Sequence, residues 1–170
     1  MSEPTPSPSD FRSAMANLSA AVNVITTDGP RGRAGMTVSA ACSVTDTPPT
    51  VLVCVNRSSR SHAVLVGNGR ICVNVLGDDH ADLALHFAGA TRVPTAERFA
   101  TGSWDHDTHG VPVLRDAAAA LVGTVRSARD QGTHTVLFVE IEHVSTRDGG
   151  GGLVYFQRSF HPVGTSRLSA

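Results

Sequence analysis

The sequence predicts a mostly β protein of one domain, an antiparallel closed barrel with a few short helices added. Its 170 residues are enough for one sizeable core. Aromatic residues make up only 5% of the chain, whereas Val, Ala, Thr and Gly are frequent, a composition typical of β-rich barrels or sandwiches. Six or seven strand-like runs follow one another, mostly across short turns, and neither a repeat nor a linker divides them.

The N-terminal residues predict a disordered arm followed by a helix. Ser2–Ser9 alternates proline with small polar residues, which cannot bury a core. Asp10 is the expected helix cap, because Phe11, Met15 and Leu18 then recur at helical spacing. The expected division is an arm (residues 1–9), a single domain (residues 10–164) and a C-terminal tail (residues 165–170).

The first half of the folded region contains β-branched runs separated by turn residues. Arg33–Val44 fits either one long strand or two strands joined by a bulge. A helix that includes Val64 and Leu65 ends at Gly67-Asn68-Gly69. The other predicted strands are Ala20–Thr27, Val51–Asn56 and Ile71–Leu76.

The second half begins with a predicted helix over Asp79–Ala88 and an irregular polar stretch over Thr91–Gly110. Two long strands follow, joined by a turn at Arg129–Gly132. They are Ala118–Ala128 and Thr133–Val144, and a last strand, Leu153–Gln157, comes after a run of glycines.

Charge and cysteine content exclude several classes of function. The formal net charge of −1 argues against binding to nucleic acid or to a membrane surface through bulk electrostatics. No apolar run approaches the length of a membrane span. Cys42, Cys54 and Cys72 form no C-x-x-C pair, which predicts buried, reduced thiols in a cytoplasmic protein.

The segment Cys54–His62 has the pattern of a phosphate site. A buried strand enters a cluster of serines and arginines, and a helix begins directly afterwards. Exposed N–H groups at a helix start favour an anion, and arginine adds charge-assisted hydrogen bonds. A polar surface turn with an ordinary N-cap is the alternative interpretation.

The run Gly35–Val44 is unusually rich in small and hydroxylated residues for a strand. Large side chains normally fill a core, so small ones let a flat group approach the backbone closely. An aromatic heterocycle fits that description. Close packing against another strand or a second subunit is the alternative.

The histidines and carboxylates give weaker signals. His134 opens a long strand after a glycine turn, where it could face a pocket, and His161 has a similar position; an ordinary strand-end histidine is the alternative for both. Asp105–His109 resembles a metal loop but lacks further ligands nearby, so a solvated turn is expected and no metal site is predicted. The G-x-G-x-x-G, P-loop and G-x-S-x-G motifs are absent, which argues against a Rossmann crevice.

Six runs in a fixed order match a known protein family and together cover nearly all of the chain after the arm. They are Phe11–Thr27, Cys42–Asn56, Gly67–Leu76, His86–Gly89, Gly132–Ile141 and Leu153–Val163. With these runs the chain resembles the flavin reductases that serve two-component flavin-dependent monooxygenases.

The resemblance implies a split β-barrel of Greek-key type, usually a homodimer, with flavin in a groove beside the subunit interface. It implies reduction of FMN or FAD by NADH, with NADPH possible, and release of reduced flavin to a separate monooxygenase that hydroxylates an aromatic compound. Two alternatives stay open: a split-barrel protein that keeps its flavin and reduces a corrinoid or ferric complex, and a flavin-binding domain without catalysis.

The resemblance also implies site residues. His134 matches the family's histidine near the nicotinamide and is the implied catalytic residue, mainly through positioning, and His161 is a weaker candidate for the same neighbourhood. The implied flavin contacts are the ring edge at Thr37, Val38, Ser39 and Ala40, its continuation at Cys54, Val55 and Asn56, the ribityl and phosphate end at Ser58, Ser59 and Ser61, and a further side at Phe87, Ala88 and Gly89.

Two features depart from the family pattern. Thr133 stands where many members have an aspartate before the histidine. Arg57 and Arg60 make the phosphate segment more positive than the family requires, so the preference between FMN and FAD stays open.

Overall fold

A computed structural model describes residues 5–164 and shows a mostly β fold. The helices are α1 (Pro8–Met15), α2 (His62–Asn68), α3 (Ala81–Phe87) and a 3₁₀ helix (Thr95–Ala100). The strands are β1 (Ala20–Ala21), β2 (Asn23–Thr27), β3 (Ala34–Val38), β4 (Ala41–Asp46), β5 (Pro49–Asn56), β6 (Arg70–Val75), β7 (Trp104–His106), β8 (Pro112–Leu114), β9 (Ala119–Gln131), β10 (His134–Thr146), β11 (Gly152–Phe156) and β12 (Ser159–Val163).

A seven-stranded antiparallel sheet forms the body of the protein, in the order β3-β2-β6-β9-β10-β5-β4. Its two edge strands, β3 and β4, are consecutive in the chain and separated only by Ser39 and Ala40. Because two residues cannot span an open sheet, the sheet curls until its edges approach each other.

The barrel is split at this point. β3 pairs with β2 and β4 pairs with β5, and the two edges form no ladder with each other in the part of the chain described. The amide of Ala41 donates to the carbonyl of Ser39, 3.1 Å away, in a tight bend that turns β4 away from β3. The closed barrel expected from the strand pattern is therefore wrong, and the split barrel implied by the resemblance is confirmed.

The core lies inside the curled sheet. On β10 the inward side chains of Thr135, Leu137, Val139 and Ile141 are buried and alternate with half-exposed neighbours, as the two-residue period of a strand requires. Leu65 of α2 is fully buried in the same cluster. A second cluster packs α3 against the small sheet β1-β11-β12.

The boundary between the predicted arm and the first helix differs from the prediction. Helix α1 begins at Pro8 rather than after Asp10, and Ser7 is its N-cap, since the Ser7 hydroxyl accepts a hydrogen bond of 3.1 Å from the Asp10 amide. Proline suits the first helical position because its missing N–H would have no partner there. The rest of the predicted arm, residues 1–4, and the predicted tail, residues 165–170, lie outside the described residues.

The stretch predicted as irregular, Thr91–Gly110, contains the 3₁₀ helix and β7. The partner of β7 in a hairpin, β8, follows that stretch, and both β8 and β12 were missed. The rings of Phe99 and Trp104 pack edge-on against Phe87, with centroids 5.2 and 5.5 Å away, so tertiary contacts hold this segment. Asp107 accepts hydrogen bonds from the amides of His109 and Val111 and fixes the turn between the two strands.

The turn of the long hairpin is shorter than predicted. β9 runs on to Gln131, since Arg129, Asp130 and Gln131 pair with residues 134–136 of β10. Gly132 and Thr133 alone make the turn, and the φ of +56° at Gly132 lies in the region that favours glycine.

The prediction of three buried thiols is correct only for Cys72. Cys42 is exposed and Cys54 is half-buried, because both side chains lie on the outer face of the sheet. Burial raises the pKa of the Cys72 thiol to about 12. None of the helices among residues 5–164 is long and apolar enough to cross a membrane.

Candidate functional site

Three arginines surround a cavity of about 420 Å³, called here the arginine cavity. It lies between β3, the loop before α2, the end of α3 and the 3₁₀ helix. Arg60, Arg92 and Arg98 line it, and no carboxylate of the described residues does. None of the three is in an ion pair with a carboxylate of residues 5–164. Unneutralised arginines around one cavity indicate an anion site.

The guanidinium of Arg98 is held in place. Its Nε donates to the carbonyl of Val93 at 3.1 Å, and its Nη1 donates to the carbonyl of Phe87 at 3.0 Å. Partial burial and the nearby charge of Arg60 lower the pKa of Arg98. A phosphate bound between these two cations would offset their mutual repulsion.

The serines of the loop shape the cavity more than they supply free donors. The amides of Ser59 and His62 donate to loop carbonyls, and the amide of Ser61 donates to the Ser59 hydroxyl. The Ser61 hydroxyl is 3% exposed and donates to the carbonyl of Gly35 at 3.0 Å. The charge in this cavity therefore comes from arginines that belong to different elements, and less from the start of α2.

A groove of about 710 Å³ adjoins the arginine cavity and shares Thr37 and Ala88 with it. Its other walls are mainly apolar and include Val38, Leu85 and Phe160. We call it the ring groove, because a flat, largely apolar group fits such walls.

A further depression of about 820 Å³, the outer cavity, continues from the ring groove. The two share Ser39, Tyr155 and Arg158. Ala40 and Cys54 line the outer cavity together with apolar residues of α1. An anion site, a flat apolar groove and an open outer cavity thus follow one another along the surface.

The split in the barrel exposes backbone donors to this groove. Ala40 accepts a hydrogen bond of 2.9 Å from the amide of Cys54. Within residues 5–164, the amides of Ser39 and Ala40 donate to no acceptor. Ser39 is half-buried and Ala40 is exposed, so these two amides are open to carbonyl oxygens of a bound molecule.

Most residues implied for flavin binding line these three cavities, but several side chains do not. Thr37, Val38, Ser39, Ala40, Cys54, Ser59, Ser61, Phe87, Ala88 and Gly89 are among the lining residues. Val55 is 0% exposed and lies inside the barrel, since alternation turns Cys54 and Asn56 outward instead. The bulk of Phe87 is likewise packed in the second core cluster.

Asn56 and Ser58 lie at a separate depression of about 630 Å³, together with Arg57, His62 and Thr133. The Ser58 hydroxyl donates to the side-chain oxygen of Asn56 at 2.8 Å. Ser58 therefore does not join the other two serines at the arginine cavity.

The two candidate histidines lie apart. His134 opens β10 opposite Asn56, and its Nδ1 is 2.9 Å from the Thr133 hydroxyl. His161 is exposed on β12, and its Nε2 is 3.0 Å from the carbonyl of Phe156. Neither lines the arginine cavity, the ring groove or the outer cavity.

A carboxylate lies near the start of β10 although position 133 is a threonine. The Thr135 hydroxyl donates to Asp130 at 2.6 Å and is 2.8 Å from His62 Nε2. Asp130 also pairs with Arg57 at 3.4 Å. The sequence did not point to Asp130, because the turn predicted over Arg129–Gly132 placed Asp130 outside the strand.

Sequence reasoning also missed Arg92, Arg98 and Arg158. Arg92 and Arg98 lie in the stretch interpreted as irregular, and no local pattern relates them to the serine loop about thirty residues earlier. Arg158 lies in the turn between β11 and β12, and within the matched run that contains it only His161 was assigned a role.

Comparison with models of protein families shows to which family the chain belongs. A family model described as "Flavin reductase like domain" matches residues 15–164.

The chain belongs to the flavin reductase family.

Individual relatives agree with this assignment. The chain is 50% identical over its full length, and over the full length of the relative, to the 4-hydroxyphenylacetate 3-monooxygenase reductase component of Pseudomonas aeruginosa. It is 47% identical to the FMN reductase (NADH) RutF of Stutzerimonas stutzeri, over 92% of this chain and 89% of that one. The structure of BorF, the flavin reductase component of a bacterial two-component tryptophan halogenase, superposes with a TM-score of 0.86 at 26% identity, covering 93% of this chain and 99% of BorF.

The arginine cavity makes a prediction for phosphate recognition. Replacing Arg60 with Gln should weaken FMN binding about tenfold, the usual effect of losing one charge-assisted hydrogen bond. The affinity for riboflavin, which lacks the phosphate, should stay unchanged. Arg98→Gln should have the same effect, and titration of intrinsic flavin fluorescence measures both.

Arg31→Gln is the matched control, since Arg31 is exposed and lines none of these cavities. Equal losses for FMN and riboflavin would show that the arginine variants disturb the groove rather than phosphate binding.

Proposed function

We propose that this protein is an NAD(P)H-dependent flavin reductase that reduces free FMN or FAD and supplies the reduced flavin to a separate aromatic-hydroxylating monooxygenase. The observation that carries the proposal is the continuous path from the arginine cavity to the ring groove. Family membership supports the reaction type. The names of the Pseudomonas and Stutzerimonas relatives support a monooxygenase partner and the use of NADH and FMN.

The donor set fits a flavin. A phosphate bears the charge that Arg60, Arg92 and Arg98 would neutralise, and the ring groove, with a volume of about 710 Å³ and mainly apolar walls, suits an isoalloxazine. The amides of Ser39 and Ala40 match the carbonyl-bearing edge of that ring. The flavin and nicotinamide carry the redox chemistry, and this chain's residues bind and orient them.

Transfer between two rings depends mainly on placing them face to face with the reacting atoms roughly 3–3.5 Å apart. We assign His134 to positioning of the nicotinamide because the family resemblance implies it; His134 lies at the start of β10 opposite Asn56, outside the three cavities. The Thr133 hydroxyl at its Nδ1 fixes the orientation of the imidazole. His161, on β12 and apart from His134, is the weaker candidate for this role.

The openness of the site supports handover of the product. The ring groove and the outer cavity are surface depressions, and the exposed residues Ala40 and Arg158 form part of their walls. A flavin held there keeps contact with water and leaves without unfolding any element. This favours a diffusible flavin over a permanently bound one.

The cellular setting is a separate point. The three cysteines are free thiols in the structure, which fits a cytoplasmic protein.

The outer face of the sheet supports a homodimer. Leu52, Cys54, Val136 and Phe138 are half-buried neighbours across β5 and β10. Val44 on the adjoining edge strand β4 is 47% exposed. An apolar sheet face of this kind is typical of a subunit interface. Leu52 and Cys54 also line the outer cavity, which would bring the flavin groove beside the partner.

The function is tested by mixing the purified protein anaerobically with FMN or FAD and with NADH or NADPH. We expect the absorbance of oxidised flavin to disappear over many turnovers of added flavin, because flavin is a substrate. Bleaching of one bound equivalent only would indicate a retained flavin. Binding of FMN with no oxidation of either nicotinamide would indicate a domain without catalysis.

The role of His134 gives a separate prediction. His134→Ala should raise the KM for the nicotinamide cofactor about tenfold, the cost of one lost polar contact, while flavin affinity is kept. Steady-state kinetics with the two substrates varied separately measure this. His143→Ala, an exposed histidine on the same strand, is the control. An unchanged nicotinamide KM in His134→Ala would remove the residue from the site.

The homodimer predicts a mass of two chains by sedimentation equilibrium. Phe138→Lys should shift the protein to the monomer, because the interface would then bury an unpaired charge. Val163→Lys changes an exposed apolar residue on β12, away from this face, and should leave the mass unchanged. A wild-type mass of one chain would contradict the dimer.

A further inference from the structure

The turn between β11 and β12 contains two non-glycine residues in the left-handed backbone region. Gln157 has a φ of 47° and Arg158 a φ of 63°. Two-residue hairpin turns of this kind favour Asn-Gly, because most side chains are strained at positive φ. Strained residues that persist in a fold point to a role for their side chains.

Hydrogen bonds within the fold account for the strained conformation of Gln157 but not for that of Arg158. The amide of Gln157 donates to the carbonyl of Ala16 at 2.7 Å, and its side chain reaches Asn17 at 3.5 Å, so Gln157 ties the turn to the end of α1. In the described part of the chain, the guanidinium of Arg158 has no ion pair and no hydrogen bond.

Arg158 lies at the junction of the two cavities beyond the arginine cavity. It lines both the ring groove and the outer cavity, as do Ser39 and Tyr155. No carboxylate of residues 5–164 lines either cavity. The free amides of Ser39 and Ala40 lie in the same wall. Arg158 and the amides of Ser39 and Ala40 therefore lie around the part of the ring groove that opens into the outer cavity, where Arg12 is a second cation.

We propose that Arg158 binds the pyrimidine end of the isoalloxazine ring and favours the reduced flavin over the oxidised one. The inference rests on the proposed function. The pyrimidine ring bears the two carbonyl oxygens of the isoalloxazine, whereas the opposite end bears only methyl groups, so the donors select its orientation.

The charge balance of the reaction explains the preference for reduced flavin. The nicotinamide cofactor loses two electrons and one proton together, and flavin accepts both electrons with that proton at N5. The flavin thus gains one negative charge, which is spread over its pyrimidine ring. A guanidinium at that end attracts the product more strongly than the neutral oxidised ring, and no proton from the protein is needed.

The exposure of Arg158 limits the size of this effect. Its side chain is solvated, and charge pairs at such positions change affinity about fivefold or less. An effect of this size favours reduction and still permits release of the reduced flavin.

The test compares the affinities for oxidised FMN and for reduced FMN, the latter prepared anaerobically with dithionite. Arg158→Gly removes the guanidinium and relaxes the turn, since glycine adopts a φ of 63° without strain, so the variant should fold at least as stably as the wild type. Arg158→Lys keeps the charge, and Arg31→Gln removes a charge elsewhere on the surface.

We expect Arg158→Gly to weaken binding of reduced FMN about fivefold and binding of oxidised FMN less than twofold. Arg158→Lys should restore much of the difference, and Arg31→Gln should resemble the wild type. The midpoint potential of bound FMN should fall with the ratio of the two affinities, which gives a readout independent of turnover.

Equal weakening of both redox forms would overturn the proposal, as would no change in either form. A raised KM for the nicotinamide cofactor with an unchanged ratio of flavin affinities would instead assign Arg158 to the phosphates of that cofactor and also overturn it. If the wild type neither binds flavin nor oxidises NADH in its presence, the proposed function itself fails, which is a distinguishable result.

Discussion

The two-residue link between β3 and β4 is the constraint on which the rest of the structure depends. Ser39 and Ala40 join strands at opposite edges of a seven-stranded sheet, so the sheet must curl and enclose the core. The same link bends too sharply for the edges to pair, so the barrel stays split and two backbone amides stay without partners. One short segment thus produces both the closure of the core and the donors of the candidate site.

The alternation of side chains along β5 separates stability from function. Val53 and Val55 point into the barrel and are fully buried, whereas Cys54 and Asn56 point outward. A shift of the register by one residue would exchange the two sets. The core therefore fixes which side chains face the cavities.

The distribution of charge distinguishes the candidate site from the rest of the surface. Several arginines elsewhere are neutralised: Arg70 lies between Asp107 and Glu142, and Arg115 pairs with Asp105. These pairs hold the β7-β8 hairpin and account for the two aspartates of the segment that resembled a metal loop. The arginines of the arginine cavity have no such partners among the described residues, so their charge is available to a phosphate.

The sequence by itself determined the class of fold, the positions of most strands and the small-residue run at the groove, because strand period and turn residues are local properties. It did not determine that Thr91–Gly110 is ordered, since that segment is held by distant partners such as Phe87 and Arg70. Nor did it reveal the cluster of Arg60, Arg92 and Arg98, or the position of Arg158 beside Ser39. These residues belong to separate elements that meet only through tertiary packing, so no local sequence pattern relates them.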